Sequence, residues 1–464
     1  MSNEAKETRN DFTQGPMWQV ILKMAIPLIL AQLVTTLYSL VDRMYIGHMA
    51  GVGSLALTGL GLTMPIIGFI NACAALCGSG GGPLCSIARG RGDIEDAERI
   101  MGNALSMLLI IALAVTALFL AFMKPALYLL GASDATYPFA AEYARIYILG
   151  TIFVMLSLGM NYFINAQGFS KIGMLTVAIG AVLNIILDPI MIFVMDMGIR
   201  GAAIATVISQ AVSAAWAMGF LCSKKSILDL TFANMRLHWT TIRRILALGF
   251  TGFVMQATGS LVMIVSNIQL RTYGGDLYVG VMTIVNSVKE VILLIAHGLT
   301  HGAQPVLGFN YGARAYGRVK QGIRFVSLTA AIYAFISWSI VMLMTGALVR
   351  IFNSEPEMVA AAVPGLRIYF CGFVLMALQL AGQCTFVGLG KSRQATFFSM
   401  LRKVVIVVPL VILLPRLPMF GVLGVFWSEP ISDLLSGAAC YLTMYFTVYR
   451  KLGDDQPRPT AGGN

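Results

Sequence analysis

Twelve apolar runs, each long enough to cross a lipid bilayer as a helix, cut this chain into membrane-sized segments. A hydrocarbon layer ~30 Å thick takes about 20 helical residues. The runs fall near 18–46, 53–82, 99–122, 138–165, 172–195 and 199–222, and again near 242–270, 277–306, 319–348, 358–387, 395–415 and 420–447. In lipid, every backbone polar group must be satisfied within its own segment, so runs of this kind fold as helices. We therefore expect an all-α integral membrane protein of twelve transmembrane helices. The composition agrees: 58% of residues are hydrophobic and 11% charged, against roughly 45–50% and 25% in soluble domains.

The polar opening, MSNEAKETRNDFTQGP, lacks the basic, apolar and small-residue order of a cleaved signal peptide, so the first helix is expected to stay in the mature protein. We expect the chain to divide into a tail at 1–16, an N-terminal lobe at 17–222, a connector at 223–241, a C-terminal lobe at 242–448 and a tail at 449–464. The connector carries Lys224, Lys225, Asp229, Arg236, His238 and Trp239 and reads as a membrane-surface segment.

The net charge is +11, which in a soluble protein would suggest a nucleic-acid partner. Its distribution points instead to topology. With an even number of spans both termini share a side, and Lys and Arg crowd the cytoplasmic loops. Placing the termini inside leaves only Arg43, Lys124, Arg200, Arg271, Arg350 and Arg416 on outer segments. Arg145, Lys289 and Arg367 then fall within spans, and the rest of the 32 basic residues, Arg402 and Lys403 among them, are assigned to inner segments. We expect a multi-pass protein of the cell membrane with cytoplasmic termini, lipid as its main partner and no nucleic acid.

The chain also repeats. A shift of 222 residues lays Gly80 on Gly302, Pro83 on Pro305, Gly90 on Gly312 and Gly168 on Gly390, and Arg145-Ile146-Tyr147 with Gly150 on Arg367-Ile368-Tyr369 with Gly372. A shift wider by one aligns Gly198 and Gly201 with Gly421 and Gly424, and sets Thr206 opposite Glu429. Six spans per half give both halves the same orientation, the parallel repeat of transporters that alternate access around a site near the midplane.

Charged residues inside spans are costly and mark function by default. The first half offers Asp42 and Asp188; the second offers Lys289, Glu290, Glu429 and Asp433. Asn184 and Asp188 are four apart and share a face of the fifth helix. Pro189 beside them removes a backbone donor, and Pro27 is placed to bend the first helix in the same way. Asp42, Asp188 and Thr206 lie at matching depth, roughly 10–15 Å below the outer boundary at 1.5 Å per residue. Two carboxylates, an amide and a hydroxyl meeting there would hold a proton or a cation between them. The competing reading pairs Asp42 with Arg43 and leaves Asp188 capping local backbone.

In the eighth helix, Asn286, Glu290, His297 and His301 form one stripe, either a proton relay or a Glu290–Lys289 pair with two histidines near the inner mouth. Glu429 and Asp433 are candidates for a second polar patch. The seven cysteines read as small packing residues. No Walker, GxSxG or HExxH motif occurs, so neither direct ATP drive nor hydrolase or metalloprotease chemistry is indicated. No catalytic residues and no resident metal are expected. The 27 methionines suit an adaptable apolar cavity and lipid-facing packing equally well.

These motifs resemble the multidrug and toxic compound extrusion (MATE) family, in its DinF-like or MepA-like prokaryotic branch. The matching residues are Ile26-Pro27, Val41-Asp42, Gly80-Gly81-Gly82-Pro83, Ala88-Arg89-Gly90, Asn165-Ala166-Gln167-Gly168, Asn184 through Pro189, Gly198 through Thr206, Gln304-Pro305 and Phe309 through Ala313. The resemblance implies two six-helix lobes in a V and export of small organic cations in exchange for H+ or Na+, with no cofactor beyond that ion. It maps the cation site onto Asp42, Asn184, Asp188 and Thr206, with Tyr143 and Asn161 in the surrounding network. Acidic positions of the NorM-like branch fall near Gly259 and Leu380 here, so Glu290 and Glu429 inherit no role from it. A monomer is expected.

Two rivals stand beside antiport. A flippase for a lipid-linked or other amphipathic metabolite would line its cavity with basic residues, and Arg145, Lys289 and Arg367 are few. A membrane enzyme acting on lipid head groups would need a clustered nucleophile or metal set.

Overall fold

The computed structural model describes residues 10–47, 49, 53–352 and 355–453, and among these every regular element is helical. Nine helices are long and apolar enough to cross a membrane singly, and two bent pairs, Tyr137–Leu149 with Thr151–Ala166 and Pro356–Phe370 with Phe373–Gly388, bring the number to eleven. The twelfth, Gly424–Thr447, has 24 residues and buries Glu429 and Asp433, which lower its apolar character. Large apolar side chains such as Leu113, Leu129, Val194 and Leu343 stand 65–89% exposed. Burying such surface in lipid is favourable, and lipid is the solvent this exterior fits. The protein is a multi-pass membrane protein.

The chain forms two compact units. Among the described residues, one gathers Asn10, Asp11 and Ile26–Phe253; the other takes Phe12–Ala25 and 254–453. The division cuts the first helix, Met17–Gly47, two residues before Pro27.

In the first unit, the second helix, Gly53–Arg91, packs through its glycine-rich stretch. A Cβ at Gly80 would overlap the Ile245 carbonyl oxygen, and one at Gly249 the Leu76 carbonyl oxygen. Small residues permit this approach of backbones, the main way helices gain packing energy in lipid. Cys77, Met101, Leu108, Phe163 and Ile245 fill the core around it. The connector is clamped to the same unit: the Gln167 side-chain oxygen accepts from Ser226 Oγ at 2.9 Å and Ile227 N at 2.7 Å. The Asn103 side chain also donates to the carbonyls of Asn234 and Arg236, and Arg244 grips both oxygens of Asp96 at 3.0 and 3.1 Å.

In the second unit, the start of the first helix packs against the eighth span, Leu277–Gly312, where a Cβ at Gly302 would meet Ala25. Arg318 and Asn310 hold the preceding turn through the Phe12 carbonyl at 2.9 and 3.2 Å. Seventh and eighth spans meet at Gly275, whose φ of +70° breaks an otherwise continuous helical run. Glycine adopts that conformation without the Cβ penalty.

The repeat is visible in matching bends. The fourth span turns by 56° at Gly150 and the tenth by 45° before Phe373. Gly150 abuts Val207 of the sixth helix and Gly372 abuts Pro430 of the twelfth, equivalent partners under the repeat.

Candidate cation site

Within the first unit, four helices bring polar side chains together. Asp42 comes from the first helix, Tyr143 from Tyr137–Leu149, Asn184 and Asp188 from Ser170–Pro189, and Thr206 from Gly198–Leu221. Asn184 Nδ2 donates to Asp188 Oδ1 at 3.1 Å and to Thr206 Oγ1 at 3.4 Å. The Thr206 hydroxyl donates to the Ala202 carbonyl at 3.0 Å. The carboxyl groups of Asp42 and Asp188 lie side by side, and the Tyr143 phenol lies beside the Thr206 hydroxyl. Asp188 is fully buried and Asn184 is 2% exposed.

Three oxygens of this group have no hydrogen-bond donor: Asp42 Oδ1, Asp188 Oδ2 and Asn184 Oδ1. Buried acceptors are normally satisfied. Two like charges ~4 Å apart at an effective dielectric of ~20 repel by about 4 kcal/mol, so the pair fits one positive charge held between them. Oxygen donors of this kind suit a proton or a hard cation. Beyond Pro189 the helix widens into a π turn, Ile190–Val194, a local feature frequent at functional sites.

A cavity with a mostly apolar surface opens beside Asn184 and Thr206, and Thr35, Tyr38, Ser157 and Ser213 add polar groups to its lining. Asn184 and Thr206 thus belong to both the cavity and the carboxylate cluster. Thr35 and Tyr38 escaped the sequence reading, although they lie seven and four residues before Asp42 and share its helical face. Asn161 stands apart, donating to the Gly173 carbonyl at 3.1 Å and accepting from Asn165 at 3.3 Å.

The MatE family model matches residues 27–190 and 252–413. The chain belongs to the MatE family. Among the relatives of this MATE chain is the multidrug export protein MepA of Staphylococcus haemolyticus, 25% identical over 94% of each chain. The MepA of Staphylococcus aureus strain NCTC 8325 is 24% identical over 94% of this chain and 95% of its own. Of solved structures, a MOP superfamily transporter from Pyrococcus furiosus superposes with a TM-score of 0.89 at 23% identity, over 96% of this chain and 99% of that one. The two-lobe MATE fold is thereby the fold of this chain.

The second polar patch of this MATE chain has a composition the sequence reading did not anticipate. Arg402 and Lys403, assigned above to inner segments, lie inside the eleventh span, Ser392–Arg416, on a π turn at Leu401–Val407. Arg402 Nη2 donates to Asp433 Oδ1 at 2.8 Å and Glu429 Oε2 at 3.2 Å, and Lys403 Nζ to Glu429 Oε1 at 3.0 Å. Buried acids of the twelfth helix hold these basic residues in the span, so the in-span cations number more than the three first assigned. Glu290 is exposed and joins no ion pair among the described residues; its neighbour Lys289 donates to the Tyr369 hydroxyl at 3.0 Å instead. His297 and His301 have ring centroids 6.4 Å apart, and among the described residues no group of three or more His, Cys, Asp or Glu side chains is placed to hold a metal ion.

Proposed function

We propose that this chain is a secondary antiporter that exports amphipathic organic cations in exchange for H+ or Na+. The coupling ion binds between Asp42 and Asp188, with Asn184 and Thr206 completing the site and Tyr143 holding Thr206. The observation carrying this reading is the approach of the half-buried Asp42 carboxyl to the fully buried Asp188 carboxyl, beside three oxygens that lack donors. The MepA relatives, named as multidrug export proteins, support the substrate class.

Coupling follows from shared residues. Asn184 and Thr206 face the cavity and the carboxylates together, so occupancy of one alters the geometry of the other. Each ligand then biases the alternating-access equilibrium by its differential affinity for the two facings. Basic loops placed inside put both termini in the cytoplasm.

Proteoliposomes loaded with ethidium under separately imposed pH and sodium gradients test this reading. One gradient should drive efflux in the wild type, and Asp188→Asn should lose gradient-driven efflux while inserting at normal levels. Unimpaired efflux from that variant would remove the mechanism.

A further inference from the structure

The second unit carries an electrostatic imbalance of the opposite sign inside its spans. Half-buried Arg402 and Lys403 bond the buried carboxylates of Glu429 and Asp433, and half-buried Lys289 bonds the neighbouring Tyr369 hydroxyl. Glu429 is spoken for by Arg402 and Lys403 and lies within reach of the Tyr369 hydroxyl, and Asp433 by Arg402. Lys289 has no carboxylate within ion-pair distance among the described residues. Its ammonium donates to Tyr369 and lies 5.4 Å from that ring's centroid. Arg402 Nε is also buried without an acceptor.

Depth makes the imbalance costly. Lys289 stands about 18 Å along its helix from Leu277, and Arg402 about 15 Å from Ser392, at 1.5 Å per residue. A charge so far into the bilayer is retained where it faces a partner or a water-filled cleft. Glu290 does not serve, being exposed and unpaired. The repeat sharpens the contrast: Glu429, opposite Thr206, is held by two cations, whereas Asp42 and Asp188 join no ion pair among the described residues.

We propose that Lys289, backed by Arg402 and Lys403, binds the oxyanion of an amphipathic ligand, with a carboxylate as its preferred form. This rests on the transporter reading above and narrows its substrate class: the exported compounds include zwitterions whose carboxylate is held in the second unit. Lys289 supplies the unmatched charge and Arg402 Nε the free donor; Tyr369 positions the ammonium.

Equilibrium binding to the purified full chain in uncharged detergent tests it, using a xanthene dye with a free benzoate and its methyl ester, followed by fluorescence anisotropy. The wild type should bind the free acid about tenfold more tightly or better, Lys289→Gln should bind both dyes alike with ester affinity unchanged, and Lys289→Arg should restore the preference. Equal affinities in the wild type, or a preference that survives Lys289→Gln, would overturn the proposal. Should Lys289→Gln not fold, competition in the wild type decides: benzoate should displace the acid dye and benzamide should not, while equal displacement contradicts the idea. Displacement by phosphatidylglycerol together with benzoate means lipid head groups share the site; displacement by the lipid alone assigns it to lipid and refutes the carboxylate preference. No gradient is imposed, so failure of coupling at Asp188 leaves this result untouched.

Discussion

The side-chain amide of Asn184 donates to Asp188 Oδ1 one helical turn further along, at 3.1 Å. That bond orients one carboxylate oxygen and leaves the other, Oδ2, without a donor. On the antiport reading proposed above, that free oxygen is the acceptor for the cation.

Removing the amide should therefore weaken ion binding more than folding. A hydrogen bond to a charged group contributes about 1.5–3 kcal/mol, and about 1.4 kcal/mol is tenfold in affinity. Asn184→Ala should raise the ion concentration for half-maximal efflux by about tenfold or more, read from transport at graded gradients. An unchanged half-maximal concentration would count against the role.

Tyr143→Phe tests the outer support. It deletes only the phenolic hydroxyl beside Thr206, whose contribution is at most that of a neutral hydrogen bond, about 0.5–1.5 kcal/mol. Ion affinity should fall by a few-fold with maximal efflux retained. Asn161→Ala, whose bonds run to Gly173 and Asn165, should leave ion affinity unchanged.

Two glycines of the seventh span give opposite signs. A Cβ at Gly249 overlaps the Leu76 carbonyl, whereas nothing lies within 4 Å of one at Gly259. Gly249→Ala should destabilise by about 1–3 kcal/mol through overpacking. Gly259→Ala should be neutral or stabilise by up to about 1 kcal/mol from helix propensity. Thermal unfolding in detergent distinguishes them, and equal shifts would contradict the packing described.

Arg402→Gln breaks the ion network at its centre: Asp433 loses its ion-pair partner, while Glu429 keeps Lys403. Breaking a buried pair on one side costs about 3–5 kcal/mol. The single variant should unfold far below the wild type, and adding Asp433→Asn should recover much of that loss. No recovery in the double variant would show that Arg402 acts through packing.

Much of this was legible from residue types because lipid makes charge rare. Asp42 and Asp188 stood out against apolar neighbours and matched Thr206 in depth, and Asn184 joined them through its spacing of four from Asp188. Arg402 and Lys403 were misread because adjacent basic residues resemble a loop end; only the acids of the next helix explain their burial. Thr35 and Tyr38 look like ordinary span residues, and helical phase relative to Asp42 is their only mark. The division of the first helix near Ala25 left no trace beyond Pro27, because a continuous helix reads alike whichever unit each half packs on.

The central claim is that Asp42 and Asp188 jointly hold one exchangeable positive ion that an organic cation displaces. Ion release on adding substrate to purified protein, followed in weakly buffered solution for H+ and with a sodium-selective electrode for Na+, measures this most directly. The wild type should release close to one ion per substrate bound, and Asp188→Asn should release none. Undiminished release from the double variant Asp42→Asn, Asp188→Asn would contradict the account.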